Sequence, residues 1–202
     1  MGKRVVGEAL ARGHEVKAVV RRGGQLESLD PRAVACLGDA AVVEEVVLWS
    51  RDADLVVLAI RAASKHRGEQ AATTRAVLEG VARVGARLLV VGGAAGLRVR
   101  SSGLALIDGP RYLPPAARPV AQASLEQLEA CLSNQGVDWI YVAPPAELGP
   151  GQRRGGYRVG SDELLVDAQG RSAISMEDLA AVILDEAEHP TRSRACLTAA
   201  YC

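Results

Sequence analysis

Two pairs of adjacent arginines carry the most evident binding chemistry in this sequence. Arg21 and Arg22 follow a short apolar segment, and Arg153 and Arg154 lie in a glycine-rich segment. A guanidinium group presents several N–H donors in a planar fork, which suits bidentate recognition of phosphate or carboxylate. Each pair is therefore a candidate anion site, although arginines at a strand end or in a loop can also simply be solvated.

The overall composition narrows the partners of such sites. Lysine plus arginine equals aspartate plus glutamate at 24 each, and aromatic residues make up only 3% of the chain. Nucleic-acid binding favours a basic surface and exposed aromatic rings, so we expect no nucleic-acid partner. The apolar runs are far shorter than the roughly 20 residues of a membrane span, and the N-terminus has no apolar signal region, so we expect no membrane partner.

The cysteines give no sign of a metal or a disulfide framework. Cys36, Cys131, Cys196 and Cys202 form no C-x-x-C motif and have no metal-ligand spacing with the three histidines. We therefore expect a reduced, cytoplasmic protein that holds no metal.

Helical and strand patterns alternate along the chain. Helices are predicted at residues 3–12, 40–51, 70–84, 120–135 and 175–189, and strands at 15–20, 34–37, 54–60, 87–91, 138–142 and 196–201. The strands are too apolar to have a solvated face. Such alternation favours a doubly wound α/β fold, with helices on both faces of a mainly parallel sheet.

Two stretches depart from this alternation. Residues 94–119 have no periodicity and contain four prolines, which predicts a long loop. Residues 157–159 and 163–166, around Gly160, predict a small hairpin. Because no linker separates two units, we expect a single domain over residues 1–202, with a small substrate lobe at about 145–202.

In the order and spacing of its segments, the sequence resembles the atypical short-chain dehydrogenase/reductase family, especially small bacterial NAD(P)H-binding proteins related to epimerases and to flavin or biliverdin reductases. The resemblance covers nearly the whole chain. It rests on Gly2-Lys3-Arg4-Val5-Val6, Ala11-Arg12-Gly13-His14-Glu15-Val16, Val19-Val20-Arg21-Arg22, Gly38-Asp39, Asp52-Ala53-Asp54-Leu55-Val56, Leu89-Val90-Val91-Gly92-Gly93, Asp138-Trp139, Pro144-Pro145, Leu165-Val166-Asp167 and Ile174-Ser175-Met176-Glu177-Asp178-Leu179-Ala180. It implies a Rossmann-like dinucleotide-binding domain.

The motif that defines this family is nearly absent. A first strand and G-x-x-G-x-x-G are expected before the first helix, and only the final glycine, Gly2, remains. The resemblance thus implies a Rossmann-like sheet without its first strand, which would leave two strand edges unpaired. Three explanations stay open: a start codon placed too far downstream, a truncated gene, or a degenerate member that binds no dinucleotide.

The resemblance places a cofactor site at the carboxyl ends of the strands. Its candidate residues are Gly2, Arg21, Arg22, Asp39, Ala59, Ile60, Arg61, Gly92, Gly93, Pro144 and Pro145. Arg21 follows Gly2 by 19 positions, close to the roughly 20-residue spacing at which Rossmann sites meet the adenosine ribose. Two arginines at that place favour the 2′-phosphate of NADP, and solvated arginines are the alternative.

Other candidate residues have more than one interpretation. Asp39 is placed at the adenine edge by the resemblance, but it could equally be the N-cap of the following helix. Arg61 stands where a small residue is usual, and phosphate contact is its alternative role. Residues 147–156 are expected to cover the substrate pocket. Trp49 and Trp139 are predicted to be core residues.

The catalytic residues of full dehydrogenases are missing. Gly92 and Gly93 are followed by alanine where the family carries serine, and Tyr112 has no lysine four positions later. His66 is the best remaining candidate for a proton donor, with a solvated loop histidine as the alternative.

These features favour hydride transfer from NADPH to an acceptor that protonates easily from water, such as a flavin or a quinone. The alternative is a non-catalytic or cofactor-sensing Rossmann scaffold with a degenerate site. The expected partner is a small-molecule substrate, and a homo-oligomer stays open.

Overall fold

The structure is a computed structural model that describes residues 1–61, 68–109 and 112–201. The helices within these ranges are α1 (Gly2–Ala11), α2 (Val43–Ser50), α3 (Glu69–Val84), α4 (Arg118–Leu132) and α5 (Met176–Glu188). The strands are β1 (Lys17–Val20), β2 (Val34–Leu37), β3 (Leu55–Leu58), β4 (Arg87–Val91), β5 (Trp139–Val142), β6 (Glu147–Gly149), β7 (Tyr157–Gly160), β8 (Ala173–Ser175) and β9 (Ala195–Tyr201).

The strands form one large sheet and two small ones. The large sheet has the order β3-β4-β5-β9-β7, and its strands are parallel except for β7, which runs antiparallel to β9. Strands β1 and β2 pair in parallel as a separate sheet, and so do β6 and β8. This arrangement confirms the predicted α/β fold with a mainly parallel sheet.

Helices cover both faces of the large sheet. On one face, α3 and α4 pack with Leu88, Val90 and Trp139 into one apolar cluster. On the other face, α1 and α5 pack with Leu89 and Ile140 into a second cluster. Alternate residues of β4 thus enter opposite clusters, as a strand buried on both faces requires. The predicted core position of Trp139 is confirmed.

The sheet is interrupted between β1 and β3. In the described part of the chain, β1 pairs with β2 and β3 pairs with β4, but β1 and β3 do not pair with each other. The carbonyls of Val16 and Val20 accept from the N–H groups of Val34 and Gly38, and the carbonyl of Asp54 accepts from the N–H of Arg87. Because only alternate residues of a strand bond to one neighbouring strand, the backbone groups of Val19 and Val57 face the interruption. The two unpaired edges that the sequence predicts are therefore present.

The predicted hairpin over 157–166 is wrong. Strand β7 pairs with β9 instead, and the residues after it bond to a distant segment. Arg98 donates its backbone N–H to the carbonyl of Asp162 at 2.8 Å and accepts from the N–H of Leu164 at 2.8 Å. A local turn pattern cannot reveal partners more than 60 residues away, which explains the error.

The ends of α4 also differ from the prediction. The helix begins at Arg118, because Pro119 occupies its first turn, where a missing N–H costs no helical hydrogen bond. It ends at Leu132 rather than residue 135. Beyond its end, the side-chain carbonyl of Asn134 accepts from the N–H groups of Gly136 and Val137, both at 3.0 Å.

The last helix and strand follow the prediction closely. Ser175 Oγ accepts from the backbone N–H of Asp178 at 3.0 Å and caps α5. The helix stops at Glu188, two residues before Pro190. Strand β9 then lies within the large sheet between β5 and β7, so the C-terminal segment helps to build the main body of the fold.

Candidate functional site

The N-terminus of α1 lies against the carboxyl end of β3. A Cβ atom built on Gly2 would lie 3.6 Å from the Cβ of Ala59, an ordinary van der Waals contact. The N–H groups of Arg4 and Val5 bond to the carbonyl of Met1. The N–H groups that precede them point out of the helix end, where an anion would be stabilised by these donors and by the helix dipole.

Arg21 and Arg22 lie at the carboxyl end of β1. Arg21 Nη1 is 3.0 Å from Oε1 of Glu69, the first residue of α3. Arg22 is exposed, and its backbone N–H donates to Gln25 Oε1 at 3.2 Å. Arg21 is therefore partnered by a carboxylate, which neither of its sequence-based interpretations includes.

Asp39 lies after β2 but does not cap α2. The N-cap of α2 is Val42, three residues further on. Asp39 Oδ1 accepts from the N–H of Ala41 at 2.9 Å, and the Asp39 N–H donates to Glu45 Oε2 at 2.7 Å. The helix-cap interpretation is thus wrong, because the chain makes an extra turn at Asp39 before the helix begins.

Gly38 is covered by Trp49, which lies in α2. A Cβ atom on Gly38 would come within 2.6 Å of Trp49 Nε1. This nitrogen is buried and has no hydrogen-bond partner among the described residues. Trp49 is only half-buried and belongs to neither large core cluster, so the prediction that it anchors the core is wrong. It packs over the end of β2 instead.

The residues after β3 become more exposed along the chain. Ala59 and Ile60 are half-buried, and Arg61 is exposed. Lys65 and His66, including the candidate proton donor, lie outside the described residues.

Gly92 and Gly93, at the end of β4, pack against Tyr141 of β5. A Cβ atom on Gly92 would lie 1.9 Å from Cζ of Tyr141, and one on Gly93 would lie 2.7 Å from Ser124 Oγ. The Gly93 N–H donates to the Tyr141 hydroxyl at 3.0 Å, which in turn donates to the Ser124 carbonyl at 2.7 Å. Burial raises the pKa of Tyr141 well above its ordinary value. Packing therefore accounts for both glycines.

Sequence reasoning did not single out Tyr141. Tyr141 lies within the apolar segment 138–142, and this pattern predicted only that the residue belongs to a strand. The clue was the pairing of β4 with β5, which places Tyr141 beside Val90, two residues before Gly92. A large ring at this register needs a glycine on the neighbouring strand.

Pro144 and Pro145 are buried directly after β5. The glycine-rich segment that follows is held against α1 and α5 rather than left free. Glu177 of α5 connects the segment to α1. Its Oε1 lies 2.8 Å from Nε of Arg4 in α1, and its Oε2 accepts from the N–H of Gly151 at 2.7 Å. Segment 151–155 is thereby tied to the helix end that carries Gly2.

Arg153 and Arg154 both have protein partners. Arg153 Nη1 lies 3.0 Å from Glu8 of α1, and the Arg154 guanidinium stands over the ring of Tyr201, 5.5 Å from its centroid. Simple solvation does not describe this pair, because both guanidinium groups contact protein groups, and binding of an anionic substrate stays a prediction. The partners are far away in the chain, so the sequence pattern gave no sign of them.

Asp178 also binds the backbone of segment 151–155. Its carboxylate accepts from the N–H groups of Arg154 and Gly155, each at 3.0 Å, and from the hydroxyl of Tyr201 at 2.6 Å. Burial by itself raises the pKa of Asp178, but these hydrogen bonds outweigh it and the pKa is lowered from 3.8. The carboxylate is therefore a permanent anion at neutral pH.

Tyr112 is half-buried, and its hydroxyl donates to the carbonyl of Gly170 at 3.2 Å. Within residues 1–61, 68–109 and 112–201, no group of three or more His, Cys, Asp or Glu side chains could hold a metal ion. None of the described helices is long and apolar enough to cross a membrane.

The parallel sheet, with the end of α1 placed at the carboxyl edge of its strands, defines a Rossmann-type dinucleotide-binding protein. A family model described as NAD(P)H-binding matches residues 1–190. The chain belongs to this NAD(P)H-binding family of the atypical short-chain dehydrogenase type, which confirms the resemblance.

Relatives of similar length share this fold. YwnB of Bacillus subtilis, described as uncharacterised, is 35% identical over 192 residues, which are 94% of this chain and 88% of YwnB. A structure from Burkholderia pseudomallei, assigned as an exported protein, has a TM-score of 0.86 at 32% identity and covers 98% of this chain and 93% of its own. A structure from Bacteroides thetaiotaomicron, assigned as an epimerase, has a TM-score of 0.86 at 32% identity, covering 98% and 90%.

Proposed function

We propose that this protein is an NADPH-dependent reductase that transfers hydride to a small acceptor such as a flavin or a quinone. The observation that carries the proposal is that Arg21 and Arg22 follow β1 at its carboxyl end, while the N-terminus of α1 lies beside Ala59 at the carboxyl end of β3. In Rossmann folds the adenosine ribose lies at such a strand end, and a second phosphate there calls for cationic donors.

The residues present fit the adenosine end of the cofactor and the start of the phosphate site. Arg21 and Arg22 would face the 2′-phosphate, and the N-terminus of α1, where Gly2 lies beside Ala59, would face the pyrophosphate. Asp39, Ala59, Ile60 and Arg61 follow the neighbouring strands. The bound nicotinamide would supply the hydride.

The choice of acceptor follows from the state of the tyrosines. The Tyr141 hydroxyl is buried between Gly93 and Ser124, and the Tyr112 hydroxyl donates to Gly170. The chain has no lysine after Lys65 that could lower a tyrosine pKa. An acceptor that takes its proton from water needs no such acid, and flavins and quinones are of this kind.

The experiment is a calorimetric titration of the chain with NADPH and with NADH. Replacing both Arg21 and Arg22 by alanine should weaken NADPH binding by roughly 10- to 100-fold, the value of one or two charge-assisted hydrogen bonds, and leave NADH binding unchanged. Arg98 and Arg100, which are exposed and paired with Asp162 and Glu163, provide a matched double-alanine control. Failure of the chain to bind either nucleotide would overturn the proposal.

A second measurement tests the chemistry. NADPH oxidation is followed by its absorbance with FMN or a soluble quinone as acceptor. Turnover supports the reductase. Nucleotide binding without turnover of either acceptor favours the alternative, a cofactor-sensing scaffold. The hydroxyls of Tyr112 and Tyr141 also fit this alternative, because both donate to backbone carbonyls.

The cellular setting is a further part of the proposal. Cys36, Cys131 and Cys196 are free thiols, which fits a reduced cytoplasmic compartment. The relative assigned as exported points the other way. Cell fractionation decides between these settings, and a homo-oligomer stays a prediction for sedimentation analysis.

A further inference from the structure

One ion pair spans the interruption between β1 and β3 at the ligand-binding edge. Arg21 follows β1, and Glu69 begins α3, the helix that comes after β3 in the chain. Their side chains meet at 3.0 Å with exposed fractions of 54% and 37%. The pair therefore joins the end of β1 to the helix that follows β3, and among the described residues no strand pairing connects the two sheets to which β1 and β3 belong. Ligands of open α/β sheets bind at the carboxyl ends of the strands, where Arg21 lies.

We infer that Glu69 competes with the cofactor's 2′-phosphate for Arg21 and so limits the preference for NADPH over NADH. This inference rests on the proposed NADPH-binding function. A 2′-phosphate that approaches Arg21 must displace the carboxylate or share the guanidinium with it, and the two anions repel each other. NADH has a hydroxyl in place of this phosphate and meets no such competition.

The start of α3 fixes the position of Glu69. It lies in the first turn of α3, where the helix dipole favours an anion. Gly68 precedes it with φ of 78°, so the chain turns sharply into the helix at this point. These features hold the carboxylate at the entrance to the helix, facing Arg21.

Arg22 differs from its neighbour in this respect. It is exposed, and within the described residues its side chain takes part in no ion pair. We therefore assign the first contact with the phosphate to Arg22, while Arg21 becomes available only as its bond to Glu69 opens. An exposed ion pair is worth about 0.2–1 kcal/mol, which corresponds to a factor of about 1.4 to 5 in affinity.

The test uses two small probes that carry only the adenosine end of the cofactor. Adenosine 2′,5′-bisphosphate contains the 2′-phosphate, and adenosine 5′-monophosphate does not. Glu69→Gln should bind the bisphosphate about two- to fivefold more tightly and leave the affinity for the monophosphate unchanged. The matched control is Glu79→Gln, because Glu79 lies on the same helix and pairs with Arg83, away from the strand end.

A double-mutant cycle shows whether Glu69 acts through Arg21. The gain from Glu69→Gln should disappear in an Arg21→Ala background. A gain of equal size in that background would show direct repulsion of the phosphate and overturn the competition. Equal weakening of both probes by Glu69→Gln would indicate a structural role and overturn it as well.

The outcomes also separate this inference from the proposed function. If the wild-type chain binds neither probe, the proposed cofactor site is wrong and the inference is lost with it. If the wild type prefers the bisphosphate, and replacing both Arg21 and Arg22 by alanine abolishes that preference while Glu69→Gln changes nothing, the cofactor site stands and the role of Glu69 alone is refuted.

Discussion

The ring of Tyr141 occupies the space that a side chain on Gly92 would need. A Cβ atom at position 92 would lie 1.9 Å from Cζ of this ring, far inside any allowed contact. The hydroxyl of the same tyrosine takes the N–H of Gly93 at 3.0 Å. Glycine at position 92, at the end of β4, is thus required by its neighbour on β5, whatever ligand binds at this edge.

This contact predicts a large effect of Gly92→Ala. The ring must move within a closely packed interior, so the free energy of unfolding should fall by roughly 1–3 kcal/mol or more. Urea denaturation measures the change. Gly7 is a matched control, because it lies in α1 with open space around it, and Gly7→Ala should raise stability by roughly 0.5–1 kcal/mol through helix propensity. A Gly92→Ala variant as stable as the wild type would contradict the packing argument.

Tyr141→Phe separates the ring from its hydroxyl. The ring keeps its place, but the part-buried Gly93 N–H loses its acceptor, and an unsatisfied donor away from water costs about 1–3 kcal/mol. We expect this loss in urea denaturation, with the wild-type fold retained in circular dichroism. Tyr157→Phe removes a hydroxyl that bonds to Asp185 in an exposed position, and it should cost less than 1 kcal/mol. Equal losses in the two variants would argue against a special role for Tyr141.

Asp178→Asn should weaken the fold at neutral pH. The carboxylate accepts from two backbone N–H groups and from Tyr201, and an amide NH₂ cannot replace both oxygens as acceptors. Loss of one of these partners should cost about 1–3 kcal/mol in urea denaturation. Asp162→Asn, at an exposed pair with Arg98, is the control and should cost little.

The pH dependence of the same variant gives a second readout. The folded-state pKa of Asp178 lies below its ordinary value of 3.8, so its stabilising contribution is present above about pH 4 and is lost as the pH falls through the folded pKa. The gap in unfolding free energy between wild type and Asp178→Asn should therefore narrow as the pH is lowered from 7 to 3. A gap that stays constant over this range would show that the charge of Asp178 does not matter.

Local patterns in the sequence predicted the main body of the fold. The alternation of apolar strands and amphipathic helices gave β4, β5 and α3 within a few residues, and Ser175 and Pro190 marked the ends of α5. These signals succeed because periodicity, caps and prolines act on neighbouring residues. The unpaired edges of β1 and β3 were also predictable, since only Gly2 of the glycine-rich motif is present.

Features that depend on distant partners were not predictable in this way. The protein partners of Arg153 and Arg154 were among these features, because Glu8 lies 145 residues from Arg153 in the chain and Asp178, which binds the backbone N–H of Arg154, lies 24 residues away. The packing role of Gly92 required the register of β4 against β5. At the candidate site, the sequence located Arg21, but its pairing with Glu69 across two sheets needed the fold.

The edge of β1 that faces the interruption pairs with no strand among the described residues, and such an edge predicts self-association that a single charge should suppress. The backbone groups of Val19 face the interruption, and its side chain is 42% exposed. An open strand edge can pair with another chain, and a lysine on such an edge opposes this pairing by charge and by its need for water. Val19→Lys should therefore lower concentration-dependent self-association in light scattering. Leu48→Lys removes a comparably exposed apolar side chain from α2 without touching a strand edge, so it should have a smaller effect. Equal effects of the two variants would attribute association to apolar surface in general rather than to the edge of β1.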